Sequence, residues 1–374
     1  MFTLEASAHE MNDLLGRIAA KLQMTDTQHN EAEARYKAVG EWLSAPGSSL
    51  SAFAPRIYSQ GSMRIGTTVK PRDTDEGFDV DIVCQVQVDP LRSDPLALLK
   101  AVGARLRDNG RYEPLVEFKN RCVRLNFAGE FYMDILPAVL DPSRNDGAVV
   151  VPDRDARRWK PSHPEGYAKW FDGRARMWKR VREAALEPLP AKQPIDLKTP
   201  LQQAVQLIKR WRNIAFEKVQ AQAPRSIVLT TLAAHCYTGQ DSLGETVTGI
   251  LDGIVALLPT AGRLVVRNPV NPSEDFSEKW DEQSTDYQMF AQGIRRFRQQ
   301  WEKLMAARGY PDISQALQGL FGENVAKTVL TERAKELQSA RERGQLWVNK
   351  TGIVVAPAVV PSVPPVRRNT FYGE

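Results

Sequence analysis

Two aspartates two residues apart, Asp79 and Asp81 in the run FDVDIVCQVQV, are the residues of this chain best placed to do chemistry. The run alternates as a strand does, with Val80, Ile82 and Cys84 on one face and Asp79 and Asp81 on the other. Two carboxylates held so close repel, and a cation between them relieves the repulsion. Hard oxygen ligands of this kind select magnesium or manganese. A third carboxylate, Asp134, stands in FYMDILP, a second strand-like run with Tyr132 and Leu136 on its face. If that strand pairs beside the first, three carboxylates meet at one sheet edge. Such an edge can hold two metals ~3.5–4 Å apart for phosphoryl transfer. Upstream, Gly61-Ser62 falls at a strand-to-helix turn, where glycine lets backbone approach a phosphate and the serine hydroxyl and helix amides donate to it. A Gly-Ser pair or a DxD alone carries little, because solvated acid pairs are common. Their order along the chain, ending in a lone aspartate on a later strand, is far more specific.

The elements that must position these groups fall into two halves. From about Glu5 to Trp42, Met11, Leu14, Leu15, Ile18 and Leu22 recur at helical spacing, giving one long amphipathic helix or a helix pair ended by Ala45-Pro46-Gly47. Phe53 to Ser59 reads as a short strand, and Asp94 to Asn109 as a helix stopped near Gly110. Leu115 to Phe127 and Phe131 to Leu136 read as strands, so the first half is a mixed α/β unit on a small sheet. The second half reads as helices over Pro200–Ala215, Ile227–Tyr237, Leu243–Leu258, Asp286–Ala307 and Asn324–Arg343, with Thr199 capping the first and Pro200 at its first position. Beyond Lys350 the run VVAPAVVPSVPPV cannot sustain a helix or central strand and predicts an extended tail. The fold class is therefore α+β. The expected units are residues 1–165 (long helix and catalytic core), 166–350 (helical lobe) and 351–374 (proline-rich tail).

Composition sets the outer bounds. A net charge of +5 suits an enzyme of polyanionic nucleotides but also many other proteins, so it decides nothing alone. Cys84, Cys122 and Cys236 are widely spaced, with no CxxC and no histidine cluster, which fits a reducing compartment and argues against structural zinc. The opening MFTLEASAHEMNDLL lacks the pattern of a signal peptide, and no apolar run approaches the ~18 residues of a membrane span. The expectation is a soluble, cytoplasmic protein with no membrane attachment.

The stretch SQGSMRIGTTVKPRDTDEGFDVDIVCQV closely resembles the active-site segment of the polymerase-β-like nucleotidyltransferases. It is most similar to that of the bacterial cyclic GMP-AMP synthase/DncV-like enzymes of anti-phage (CBASS) signalling, whose pattern is GS, then GTxVxP, then DxD on a strand. LQQAVQLIKRWRN and PRSIVLTTLAAHCY resemble the two nucleotide-facing helices of their oligoadenylate-synthetase-like helical lobe, and RNPVNPSEDFSEKW its later Asn-Pro-rich segment. The resemblance spans about Ser59 to Trp280. It implies that Gln60, Gly61 and Ser62 bind the donor triphosphate, and that Asp79 and Asp81 hold two magnesium ions, replaceable by manganese. By the same resemblance Asp134 completes the metal that activates the acceptor hydroxyl, Lys209 neutralises triphosphate charge, and Ser226 donates to it. Where relatives often carry a base-stacking tyrosine after that serine, this chain has Ile227.

The implied activity joins ribonucleoside triphosphates, ATP among them, into a cyclic di- or trinucleotide second messenger with release of pyrophosphate. The alternatives are linear transfer to RNA, protein or a small molecule, or a nucleotide-binding scaffold without turnover. The retained acids disfavour the scaffold, and without a zinc-binding insertion DNA sensing in the manner of the animal enzyme is not expected. A regulatory protein that captures the C-terminal tail is the expected macromolecular partner. Several residues have plainer readings: Arg64 as a packing residue, Asp73, Asp75 and Glu76 as a solvated loop, Ser226 as a helix cap, and Trp159, Tyr167 and Trp170 as packing aromatics. His163 and His235 lack partners at ligand spacing and are not expected to bind metal.

Overall fold

The computed structural model describes residues 4–71, 77–127, 131–178, 198–280 and 285–344, and the backbone of 347–348 and 354–355. Asp73, Asp75, Glu76 and nearly all of the proline-rich tail lie outside the described residues.

The N-terminal stretch is a helix pair, α1 (Leu4–Lys21) and α2 (Asp26–Ser44), broken where Thr25 caps α2 in a reciprocal capping box with Gln28. There follow β1 (Arg56–Gln60), the single-turn helix α3 (Gly61–Arg64), β2 (Phe78–Val86) and α4 (Pro95–Arg107), whose cap Asp94 accepts from the Leu96 amide. β3 (Val116–Phe118), β4 (Val123–Phe127), β5 (Phe131–Leu140), β6 (Val149–Asp153) and β7 (Arg158–Ser162) complete the sheet. Its order is β1-β2-β5-β4-β3, with β6 on the far end of β5 and β7 beyond it. β2 and β5 run parallel while the other neighbours are antiparallel, which makes the sheet mixed. The strand expected over Leu115–Phe127 is thus two strands, and the one expected to end at Leu136 continues to Leu140.

The remaining elements are α5 (Pro164–Ala175), α6 (Pro200–Ala215), α7 (Ser226–Cys236), α8 (Leu243–Leu257), the hairpin β8 (Arg267–Asn268) and β9 (Asn271–Asp275), α9 (Thr285–Ala306), α10 (Tyr310–Phe321) and α11 (Glu323–Glu342). A short antiparallel pair, β10 (Trp347–Val348) with β11 (Val354–Val355), follows them. Thr199 and Gln202 form a capping box ahead of Pro200, so α6 begins where its sequence signals place it.

Two large apolar clusters hold this together. One lies between the sheet, α2 and α4, and buries Val80, Ile82 and Cys84 on the face opposite Asp79 and Asp81. The other is built from the helical half around Trp211, Phe290, Phe297 and Trp301, with Trp211 and Phe297 stacked at 4.3 Å between ring centroids. The first helix, expected to travel with the catalytic core, buries Met11, Leu14, Leu15 and Ile18 in this second cluster. It is tied to α11 by the pairs Arg17 Nη1–Glu336 Oε1 (2.8 Å) and Lys21 Nζ–Glu332 Oε1 (2.7 Å). No helix among the described residues is long and apolar enough to cross a membrane.

Candidate active site

The parallel pairing of β2 with β5 sets Asp81 opposite Asp134 and Asp79 opposite Tyr132. Both strands therefore bring their acids to the same edge, as the alternation of each run requires. On the other side of β2, the antiparallel β1 sets Gln60 opposite Asp81, and the chain turns immediately into α3. Gly61 sits at φ +64°, and a Cβ there would overlap the Asp81 carboxyl. Only glycine admits both the left-handed backbone and this approach of the α3 turn to the acid. Gly77, just before β2, is equally constrained, since its Cβ would lie 2.8 Å from the Phe131 Cα.

α6 fixes the loop that leaves α3. Gln202, Gln206 and Lys209 lie on one stripe of the helix at spacings of four and three residues. Gln202 Nε2 donates to the Ile65 carbonyl (3.0 Å), Gln206 Nε2 to the Thr68 carbonyl (2.6 Å), and Lys209 Nζ to the Thr67 carbonyl and hydroxyl (3.1 and 3.0 Å). Ser62 Oγ is 3.1 Å from Thr68 Oγ1, so the hydroxyls of the Gly-Ser turn and of its loop are mutually held. The GTxVxP segment is thus clamped from the helical half.

Electrostatics of the edge follow from enclosure. Burial, together with the charges of Asp79 and Asp134, pushes the Asp81 carboxyl up to about 7. Burial also raises Asp79, although its side chain remains open to the cleft. Lys209 is buried and pushed down to about 8, with Asp81 and Asp79 acting in the opposite sense. These acids carry negative charge that the protein alone compensates poorly, the condition a bound cation corrects.

Arg124, on β4 directly across from Asp134, is the residue that sequence reasoning missed. Its Nε and Nη2 donate to both oxygens of Asp134 at 2.7 and 2.8 Å, and Nη2 lies 3.5 Å from Asp79 Oδ1. Among the described residues no three His, Cys, Asp or Glu side chains converge on one point in the manner of a closed metal site. The expected meeting of three carboxylates is therefore present in strand register, but Arg124 takes the third one. The donor set still fits a hard divalent cation, because it offers only carboxylate oxygens, and burial and then neighbouring acids raise the carboxyls of Asp79 and Asp81.

A cleft of about 470 Å³ opens from this edge between the sheet and the helical half. Gln60, Gly61, Ser62, Asp79, Asp81, Lys209 and Ser226 all line it. Arg212, Asn213, Tyr167, His163, Asn268 and Glu274 line it too, and sequence reasoning gave none of these a binding role, reading Tyr167 as a packing aromatic and His163 as no metal ligand. Arg212 stands three residues after Lys209, one helical turn on, which is the signal that was available for it. Ser226 is the first residue of α7, and Arg225 holds the cap position without a side-chain cap bond, so the reading of Ser226 as the cap is corrected. Arg64 pairs with Asp172 (3.3 Å) as a packing residue. His163 caps α5, its Nδ1 accepting from the Gly166 amide (3.2 Å). His235 packs on Trp170, and Trp159 Nε1 donates to the Pro90 carbonyl (3.0 Å). Tyr167 both packs on Trp170 and Phe276 and faces the cleft.

A small mixed sheet carrying acids on its two central strands, a Gly-Ser turn abutting them and a helical half closing the cleft define a nucleotidyltransferase of the polymerase-β type. Residues 10–174 match the family model of the Second Messenger Oligonucleotide or Dinucleotide Synthetase domain. A c-di-GMP synthase of Roseivirga ehrenbergii is 35% identical over 374 aligned residues, 98% of each chain. The cyclic dinucleotide synthase CdnG of Bradyrhizobium diazoefficiens is 27% identical, over 98% of this chain and 95% of its own. The structure of that enzyme with GTP superposes with a TM-score of 0.72, covering 86% of this chain and 98% of that one. Vibrio cholerae DncV, 16% identical, shares the fold with a TM-score of 0.56 over 86% of this chain and 81% of its own.

The chain belongs to the cyclic GMP-AMP synthase/DncV-like nucleotidyltransferases of CBASS anti-phage signalling. It is a cyclic oligonucleotide synthase that uses nucleoside triphosphates, and its family implies dependence on a divalent metal.

Proposed function

We propose that this enzyme makes a guanine-containing cyclic dinucleotide from ribonucleoside triphosphates, with Asp79, Asp81 and Asp134 holding two magnesium ions, or manganese in their place. The observation that carries the reading is the alignment of Asp81 with Asp134 across β2 and β5, beside a helix turn that only Gly61 can make. The metals would polarise the α-phosphate and acidify the acceptor hydroxyl. Ser62 and the α3 amides hold the donor phosphates, Lys209 and Ser226 neutralise and hydrogen-bond them, and Gln60 lies alongside. Asp134, once released by Arg124, orients the acceptor hydroxyl and takes up its proton. The oxygen then bonds the α-phosphorus as the bond to the pyrophosphate breaks, and a second transfer closes the ring. GTP is the favoured substrate because the 35%-identical relative bears the name of a c-di-GMP synthase and the CdnG structure contains GTP. ATP is the second candidate.

The enzyme is proposed to work in the cytoplasm, and residues 351–374 to be the segment that a regulatory protein captures. The test of the catalytic reading is incubation with all four ribonucleoside triphosphates and magnesium, resolved by mass spectrometry. A cyclic product containing guanosine is expected, and linear transfer products alone would overturn the reading.

A further inference from the structure

The hairpin of β8 and β9 presents a further carboxylate to the cleft, on an element separate from the strands that carry the proposed metal-binding acids. Glu274, on β9, lines the cleft wall and is held by two neutral donors. Asn268 Nδ2 donates to Oε2 (2.7 Å) and Ser162 Oγ to Oε1 (3.0 Å). Among the described residues no lysine or arginine forms an ion pair with it. Arg121, the basic group whose charge reaches it, is engaged by Asp153 (2.9 Å) and Glu278. Enclosure raises this carboxyl while its hydrogen bonds lower it, the former being the larger.

An enclosed carboxylate without a counter-charge is costly to a fold, and such groups concentrate where a ligand completes them. The cleft has a matching polarity. Lys209 and Arg212 act on Asp79 and suit phosphates, which the Glu274 carboxylate would repel. Tyr167, Phe276 and Ile227 add aromatic and apolar surface to the same cavity, which suits a nucleobase. Each carboxylate oxygen has a lone pair beyond the one its protein donor uses. Guanine presents two adjacent donors, N1–H and the 2-amino group, that a carboxylate accepts together. Adenine offers an acceptor at N1 beside its amino group, and uracil flanks its lone N–H with carbonyls, so both set lone pairs against the carboxylate.

We propose that Glu274, oriented by Asn268 and Ser162, selects guanine by accepting hydrogen bonds from its N1–H and 2-amino groups. The inference deepens the reading of the cleft as a site for GTP.

The test compares binding of GTP, inosine triphosphate and ATP to the full-length protein by calorimetry, with calcium in place of magnesium to prevent turnover. Inosine triphosphate differs from GTP only in lacking the 2-amino group. The unaltered protein is expected to favour GTP over inosine triphosphate by roughly tenfold or more, as loss of a paired base contact implies. Glu274→Gln, whose amide matches adenine better, should collapse the preference for GTP over ATP by roughly 10- to 100-fold. Equal binding of GTP and inosine triphosphate by the unaltered protein, or an unchanged GTP-to-ATP ratio in a folded variant, overturns the proposal. If Glu274→Gln does not fold, the comparison on the unaltered protein decides alone. Selective GTP binding with no cyclic product would break the proposed synthesis and leave this inference standing. A guanosine-containing cyclic product made by a protein that binds GTP and inosine triphosphate equally would do the reverse.

Discussion

Replacing Arg124 with alanine sets a fixed cation against an exchangeable one at Asp134. In the structure the guanidinium occupies both carboxylate oxygens at 2.7 and 2.8 Å and reaches toward Asp79 at 3.5 Å. A metal binding to Asp134 must displace these bonds or share the carboxylate with a positive charge. Hydrogen bonds to charged groups contribute ~1.5–3 kcal/mol. The two side chains are 22% and 18% exposed, so solvent screens part of this, and ~1.5–2 kcal/mol is the fraction we assign. At ~1.4 kcal/mol per decade, Arg124→Ala should bind manganese about ten- to thirtyfold more tightly than the unaltered enzyme. Loss of a positive charge near Asp79 acts in the same direction. The assay is a titration of manganese followed by the paramagnetic resonance of the free ion, with no nucleotide present. Unchanged or weaker manganese binding in the folded variant would refute the reasoning and make Arg124 a support for the metal-binding conformation of Asp134.

Three further outcomes are expected. Asp79→Asn with Asp81→Asn should abolish cyclic product while the metal-free protein melts at a higher temperature. The raised Asp81 carboxyl destabilises the fold above about 7, and that penalty fades as pH falls from 7 toward the unfolded value of ~3.9, so the stabilisation of ~1–2 kcal/mol should shrink at pH 5. A double variant melting no higher than the parent at pH 8 would contradict this account. Lys209→Ala should chiefly raise KM for the triphosphate and Asp134→Asn chiefly lower kcat, as steady-state kinetics on both variants would reveal. Removal of residues 351–374 should leave basal synthesis largely intact and abolish the response to a regulatory partner. Loss of folding or turnover on truncation would place the tail in the catalytic body.

Sequence reasoning succeeded where one element sufficed and weakened where two had to be registered. The alternation in FDVDIVCQV fixes which face carries Asp79 and Asp81, and Pro200 after Thr199 fixes the start of α6, because both are short-range properties. The polarity of β5 relative to β2 was not legible, nor was the pairing of Arg124 with Asp134. That pairing follows from the antiparallel register of β4 and β5, in which Phe127 faces Phe131. A reading of VRLNF against FYMDI in reverse order would have found it. β6 and β7 were passed over because each is only five residues long and contains proline, Pro152 and Pro161, which demotes a strand in local reading. Helices α5 and α10 also carry proline in the first turn, but their cap positions, His163 and Gly309, lack the Thr199-type signal that marks α6, and both were missed. The hairpin bearing Glu274 lay in a segment singled out only by resemblance, since β8 is two residues long and its cleft-facing role depends on contacts with Ser162, more than a hundred residues earlier.

The attachment of α1 to α11 governs the order in which the molecule can be assembled. Arg17 and Glu336 are 319 positions apart, yet they bond directly, and the apolar face of α1 belongs to the helical half. The sheet consequently lies in the chain between two parts of one helical body, α1 made before it and α11 after it. Contacts of such separation form slowly, because a long loop must close before they are rewarded. While the ribosome is still extending the chain, α1 has no α11 to dock on, and the helical wall of the cleft lacks its outer support. Fragments released early would therefore carry every aspartate and still lack the completed body that holds α6 over them. For an enzyme whose product is a signal, this wiring would hold back activity until α11 has been made and docked.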